Sequence, residues 1–125
     1  MKILLFEDDN FFREFYAKKL RDQQIEVVTA ENGKIGLGKL DEFKPDVILL
    51  DIIMPEVDGF EVLKQLAQKK IIPGTPVLVF STLGQESDVE KARELGASGY
   101  VNKSYFDFDK LLAKINALLQ KAGKA

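Results

Sequence analysis

Acids stand where two apolar runs stop. Ile3-Leu4-Leu5-Phe6 leads into Glu7-Asp8-Asp9, and Val47-Ile48-Leu49-Leu50 leads into Asp51, which Ile52-Ile53-Met54-Pro55 follows. A carboxylate can hold a hard cation, or it can attack phosphorus to give an acyl phosphate. Two more polar groups close apolar runs: Ser81-Thr82 after Val77-Leu78-Val79-Phe80, and Lys103 shortly after Gly99-Tyr100-Val101. If the run ends meet on one rim, up to four carboxylates gather beside a hydroxyl and an ammonium. Carboxylates so placed repel one another and lose hydration, which calls for a cation. Magnesium takes oxygen ligands, keeps several waters and is usually held by one or two carboxylates beside a phosphate, a shell that Glu7 and Asp8 could supply. Lys103 offers a compact positive charge to a phosphate oxygen, and a serine hydroxyl can donate a hydrogen bond to another. Together these groups would neutralise the charge that develops when Asp51 attacks phosphorus.

The elements that must bring them together are readable as short continuous apolar strands alternating with helical stripes, the pattern of a parallel sheet with crossover helices. Five of each are expected. Buried parallel strands deliver their last residues to the carboxyl edge, where open α/β sheets place their chemistry. Phe11, Phe12, Phe15, Tyr16 and Leu20 recur at helical spacing after the first strand, and Ile25-Glu26-Val27-Val28-Thr29 reads as the second. Residues 33–43 read as a helix carrying Ile35, Leu37 and Leu40, weakened by Gly36 and Gly38 at roughly 1 kcal/mol each relative to alanine. Asp58 is expected to cap a helix running to Lys70, with Glu61 completing a capping box and Phe60, Leu63, Leu66 and Ala67 facing inward. Ser87 and Glu90 form a second capping signature, for a helix that Gly96 stops and whose apolar face is only Val89, Ala92 and Leu95. Phe108, Leu111, Leu112, Ile115, Leu118 and Leu119 mark an amphipathic last helix.

Composition narrows the chemistry. The 125 residues suit one domain, expected to span 1–125. Twenty acidic and eighteen basic residues, net charge −2, form no basic or acidic block, which disfavours direct nucleic-acid binding. No cysteine and no histidine are present, so thiolate and imidazole chemistry are excluded and the chain cannot phosphorylate itself through a phosphohistidine. The first apolar stretch is too short for a signal peptide and no run is long enough to cross a bilayer, so a cytoplasmic protein without a membrane partner is expected.

Taken with their neighbours, these residues resemble a receiver domain of the two-component response regulators. The matching pieces are Phe6-Glu7-Asp8-Asp9, Leu50-Asp51-Ile52-Ile53-Met54-Pro55 with Asp58-Gly59, Phe80-Ser81-Thr82, and Gly96-Ala97-Ser98-Gly99-Tyr100-Val101-Asn102-Lys103, and the resemblance extends over essentially the whole chain. It implies a doubly wound five-stranded parallel sheet of order 2-1-3-4-5 with helices on both faces. It also implies that Asp51 accepts the phosphoryl group, and that Glu7, Asp8, Asp51 and the Ile53 carbonyl bind magnesium. Ser81 would be the switch hydroxyl, Lys103 the phosphoryl contact, and Tyr100 the aromatic whose rotamer reports the switch.

Singly, several of these residues have plainer explanations. Asp9 and Asn10 are expected as helix caps, and Asp58-Gly59 as turn and cap. Thr82 would satisfy local backbone groups, Tyr100 alone would be half-buried packing, and Lys103 alone would be a solvated loop residue. Where the family usually has a proline in a cis peptide after the lysine, this chain has Ser104. A cis bond before a residue other than proline costs about 2.5–4 kcal/mol, so a trans peptide is expected there. The positions two beyond Asp51 and two beyond Ser81 are the apolar Ile53 and Leu83, which cannot orient an attacking water, so slow loss of phosphate is expected.

The expected function is a phosphorylation-activated signalling switch, not a multiple-turnover enzyme. It would take its phosphoryl group from a sensor histidine kinase or a histidine phosphotransfer protein, and signal to a downstream protein partner as a monomer or an activation-linked dimer. The changed surface would lie around Ser81, Tyr100 and the last helix. Two rivals are a magnesium-dependent small-molecule phosphatase, which multiple turnover on a phosphate ester would favour, and an adaptor that binds partners without phosphorylation.

Overall fold

The computed structural model describes residues 1–82, 84–105 and 107–123. Five strands and five helices alternate: β1 (Lys2–Phe6), α1 (Asn10–Asp22), β2 (Glu26–Ala30), α2 (Gly33–Phe43), β3 (Val47–Leu50), α3 (Gly59–Gln68), β4 (Val77–Ser81), α4 (Glu86–Glu94), β5 (Gly99–Asn102) and α5 (Phe108–Lys121), with a single 3-10 turn at Lys103–Tyr105. All pairings are parallel and the strand order is β2-β1-β3-β4-β5. The chain therefore reverses its winding between β1 and β3, and a crevice opens at their carboxyl ends.

Because successive side chains of a strand point to opposite faces, the apolar runs feed two cores. Leu4, Phe6, Ile48, Leu50, Val77 and Val79 meet α2, α3 and Ala92 of α4 on one face. Ile3, Leu5, Val47, Leu49, Leu78 and Phe80 meet Tyr16, Ala17 and Leu20 of α1 and Leu111, Ile115 and Leu119 of α5 on the other. Helices on both faces explain why these strands are apolar throughout instead of alternating.

Helix faces and ends differ from expectation in particular places. On α1 the buried residues are Tyr16, Ala17 and Leu20, while Phe11, Phe12 and Phe15 are exposed by 70, 36 and 37 %. The first turn of α1 stands at the rim, so the aromatic stripe runs off the core before it reaches the helix start. β2 begins and ends one residue later than expected, and α3 stops at Gln68 rather than Lys70, with Val62 buried and Ala67 exposed. The capping box at Ser87 does not form. α4 starts at Glu86, its N-cap Gln85 makes no side-chain hydrogen bond, and Glu86 and Asp88 place acidic charge in the first turn, which the helix dipole favours. Gly36 of α2 is a close-contact residue: a Cβ there would lie 2.0 Å from the Phe6 ring, so a glycine that weakens the helix lets it rest on β1.

Candidate functional site

The carboxyl ends of four strands meet at one rim. β1 leads into Glu7, β3 into Asp51, β4 ends on Ser81 and β5 is followed by Lys103. Among the described residues, Glu7, Asp51 and Ser81 are the buried polar ones, at 1, 6 and 0 % exposure. The Lys103 ammonium joins the two acids: it donates to Asp51 Oδ2 at 3.1 Å and to Glu7 Oε1. Asp8 is exposed beside them, and one carboxylate oxygen from each of Glu7, Asp8 and Asp51 lies within 4.8 Å of the other two. Three carboxylates and one ammonium leave two negative charges in excess when all are ionised.

That excess is visible in the neighbouring groups. Burial raises Glu7 to about 7, and the Asp51 charge adds to the rise, against the lowering effect of Lys103 and of the Asp9 amide. One lysine shared between two buried acids does not offset the desolvation of both. The Tyr16 hydroxyl is pushed up to about 12, first by burial and then by the charges of Glu7 and Asp51. Hard oxygen donors, a surplus of negative charge and partial access through Asp8 fit a divalent cation of the magnesium type.

Local backbone holds the acids in place. The Asp51 amide donates to the Phe6 carbonyl at 3.1 Å, tying β3 to β1, and the Ile53 amide donates to Asp51 Oδ1 at 3.2 Å. Gly59 packs against this turn so closely that a Cβ would sit 2.6 Å from the Asp51 carbonyl oxygen. Asp58 caps α3 by accepting from the Glu61 amide at 3.0 Å, as its sequence context predicts. Asp9 likewise caps α1, accepting from the Phe12 amide at 3.0 Å, and it stands outside the three-acid cluster. Asn10 is no cap: it is the first residue of α1, and its side chain accepts from Arg13.

Arg13 and Asn102 were not evident from the sequence. The Arg13 guanidinium donates to the Glu7 and Asp8 carbonyls at 3.1 and 3.3 Å and so straps the loop that carries both acids. No periodicity marks that role. Asn102 accepts from the Ser104 amide at 2.8 Å, a local turn at the position where Ser104 replaces proline. Ile72-Pro73 is the only cis peptide among the described residues, so Lys103-Ser104 is trans, as expected.

On the far side of the rim, the Tyr100 side chain hydrogen-bonds Ser81. Burial raises the Tyr100 hydroxyl, with the Asp88 charge the next largest cause. Thr82, by contrast, is exposed. The Ile53 side chain is half exposed, and Leu83 lies outside the described residues. No helix among the described residues is long and apolar enough to cross a membrane.

Comparison with known proteins agrees with the fold. The response regulator receiver domain family matches residues 3–116. The chain is 38 % identical to the chemotaxis protein CheY of Listeria monocytogenes over 125 residues, 99 % of each chain. It is 34 % identical to the alkaline phosphatase synthesis transcriptional regulatory protein PhoP of Bacillus subtilis, covering 97 % of this chain and 49 % of that protein. Among solved structures, CheY4 of Vibrio cholerae superposes with a TM-score of 0.88 at 30 % identity, over 94 % of this chain and 98 % of that one. The receiver domain of the Francisella response regulator 1452 gives the same score and identity over 96 and 97 %.

Proposed function

The chain belongs to the response regulator receiver domain family, and from that premise we propose that it is a single receiver domain over residues 1–125 whose phosphoacceptor is Asp51. The observation that carries this reading is a buried carboxylate 3.1 Å from the Lys103 ammonium, next to two further acids at the mouth of the crevice. An oxygen of Asp51 attacks phosphorus, the donor's leaving group departs with the electron pair of the broken bond, and an aspartyl phosphate remains. Lys103 meets one peripheral phosphoryl oxygen, and the Ser81 hydroxyl donates to another. Glu7, Asp8, Asp51 and the Ile53 carbonyl would hold magnesium, which when bound supplies positive charge to the transferring group.

Ser81 then has two competing partners, Tyr100 and the phosphoryl group. Engagement with the phosphate draws the hydroxyl toward Asp51 and frees Tyr100 to change rotamer, a bias between two arrangements separated by a few kcal/mol. The altered surface is that of α4, β5 and α5, through which a downstream protein would be recognised. The donor is a sensor histidine kinase or a histidine phosphotransfer protein in the cytoplasm, since the chain has no histidine of its own. With Ile53 and Leu83 apolar, spontaneous hydrolysis is slow.

The test is intact-protein mass after incubation with acetyl phosphate, with and without magnesium, on the native chain and on Asp51→Asn. A gain of one phosphoryl group requiring both the metal and Asp51 is expected. No gain, with magnesium binding retained, would overturn the reading in favour of a phosphorylation-independent adaptor. Ile53→Asn is expected to speed decay of the aspartyl phosphate, and an unchanged decay rate in Ile53→Asn and Leu83→Glu would remove the account of its lifetime.

A further inference from the structure

We propose that Phe12 is a positioning residue for Lys103: its ring and that of Phe80 form an aromatic seat that holds the ammonium against the Asp51 carboxylate. The inference rests on Asp51 as the phosphoacceptor. Lys103 Nζ lies 5.3 Å from the centroid of Phe12 and 5.6 Å from that of Phe80. Both distances fall within the roughly 6 Å reach of a cation on an aromatic face.

The two rings come from different elements, and only one of them has a core role. Phe80 is 1 % exposed and precedes Ser81 on β4, so packing alone accounts for it. Phe12 stands in the first turn of α1 at 36 % exposure, where burial gives a phenyl ring little reason to be. Tyr16 braces it from behind: it stacks on Phe12 at 5.7 Å and 9°, and meets Phe80 edge-on at 4.9 Å. The three rings therefore form one wall from the surface of α1 to the end of β4. Against this wall the Lys103 side chain is only 6 % exposed, although its backbone belongs to a one-turn segment at the rim.

A lysine has a flexible four-carbon stem and a strongly hydrated head, so a fixed aim needs outside restraint. The Asn102–Ser104 turn restrains the backbone, and the rings add to the hold that the Glu7 and Asp51 carboxylates have on the ammonium. Phe12 acts through Lys103 without touching the phosphoryl group. Phe11 and Phe15 are placed differently: Phe11 is 70 % exposed, and Phe15 lies 5.6 Å from a different lysine, Lys19.

Two measurements on the full chain test this. In NMR spectra the Lys103 ε-methylene signals are expected upfield, shielded by the rings. Phe12→Leu should move them toward solvent-exposed lysine values, while Phe12→Tyr retains the shift and Phe15→Leu leaves it alone. With acetyl phosphate at saturating magnesium, Phe12→Leu should slow phosphorylation about three- to tenfold, and Phe12→Tyr should restore it. Magnesium affinity should stay within about twofold of native in Phe12→Leu, and in a Lys103→Ala background the same substitution should add no further slowing. An unmoved Lys103 signal in Phe12→Leu, or equal slowing with and without Lys103, would overturn the proposal. A native chain that gains no phosphoryl group would instead sink the assignment of Asp51, and the NMR shift would still decide whether Phe12 holds Lys103.

Discussion

The two sides of the rim are built to different standards of packing. On the β1–β3 side the strands are sealed: apart from Lys2, every residue of both is buried, and α3 lays Gly59, Val62, Leu63 and Leu66 into the same core. On the β5 side no strand residue is fully buried, and α4 contributes Ala92 alone. The acids stand on the sealed side, and Tyr100 stands on the other. A phosphoacceptor needs its ligands held to a fraction of an ångström, whereas a surface that reports phosphorylation needs alternatives close in free energy. Ser81 ends the fully buried β4 between them, so it can be placed as rigidly as Asp51, while its partner Tyr100 belongs to a strand with no fully buried residue.

The largest test of this contrast is a pair of core truncations. Leu49→Ala on β3 should cost about 3–5 kcal/mol by denaturant unfolding, because a fully buried leucine leaves a cavity between α1, α5 and the sheet. Val89→Ala on α4 should cost less than about 1 kcal/mol, since that side chain is only half-buried. Equal costs would mean that the two sides are equally well packed, and the division would fall.

A second effect belongs to the sealed side alone. Glu7 is raised from 4.5 to about 7, so the folded chain holds its proton more tightly than the unfolded chain does. The stabilisation from that proton is complete below pH 4.5 and is lost as pH rises through about 7. Without magnesium, unfolding free energy should therefore fall across this window by roughly 3 kcal/mol, and Glu7→Gln should flatten the profile. A divalent cation held by these acids would favour the ionised, folded chain, so added magnesium should restore stability at the alkaline end. A flat profile in the native chain would show that Lys103 already compensates both acids.

Legibility from sequence divides along a similar line. The strands that end in Glu7, Asp51 and Ser81 were readable because a parallel strand buried on both faces is a continuous apolar run, and a charge at its end is conspicuous. Their convergence was readable because parallel strands put their carboxyl ends on one edge, although the order of the strands came from the family resemblance. What escaped depends on where a helix stops covering the sheet. Spacing placed Phe12 on one stripe with Tyr16 and Leu20, and only the position of the first turn at the rim separates a core ring from one that meets Lys103. Arg13 acts through backbone carbonyls, which leave no trace in side-chain pattern. Ser87 has the right spacing for a cap, but α4 begins before it.

Smaller in free energy is the comparison of the two adjacent hydroxyls between the sides. Ser81→Ala removes the hydrogen bond with Tyr100, worth about 1 kcal/mol, and it should abolish the phosphorylation-dependent change in the Tyr100 ring signals. Thr82→Ala alters an exposed side chain and should preserve that change. The opposite pattern would transfer the switch role to Thr82.

The smallest effect concerns how α4 is started. α1 is capped by Asp9 and α3 by Asp58, each accepting from a first-turn amide, whereas Gln85 gives α4 no such bond. An uncapped helix with one buried residue frays at little cost, which suits a moving part. Gln85→Ser supplies a hydroxyl without adding a third negative charge beside Glu86 and Asp88, and should stabilise α4 by about 0.5–1 kcal/mol. Amide exchange should then slow in α4 and stay unchanged in β1 and β3. The difference in α4 exchange between the free and phosphorylated chains should also shrink, because a helix already fixed has less to gain from the switch. If α4 is stiffened and the phosphorylation-dependent difference persists at full size, fraying at Gln85 is not part of the response, and the loose packing of β5 must account for it alone.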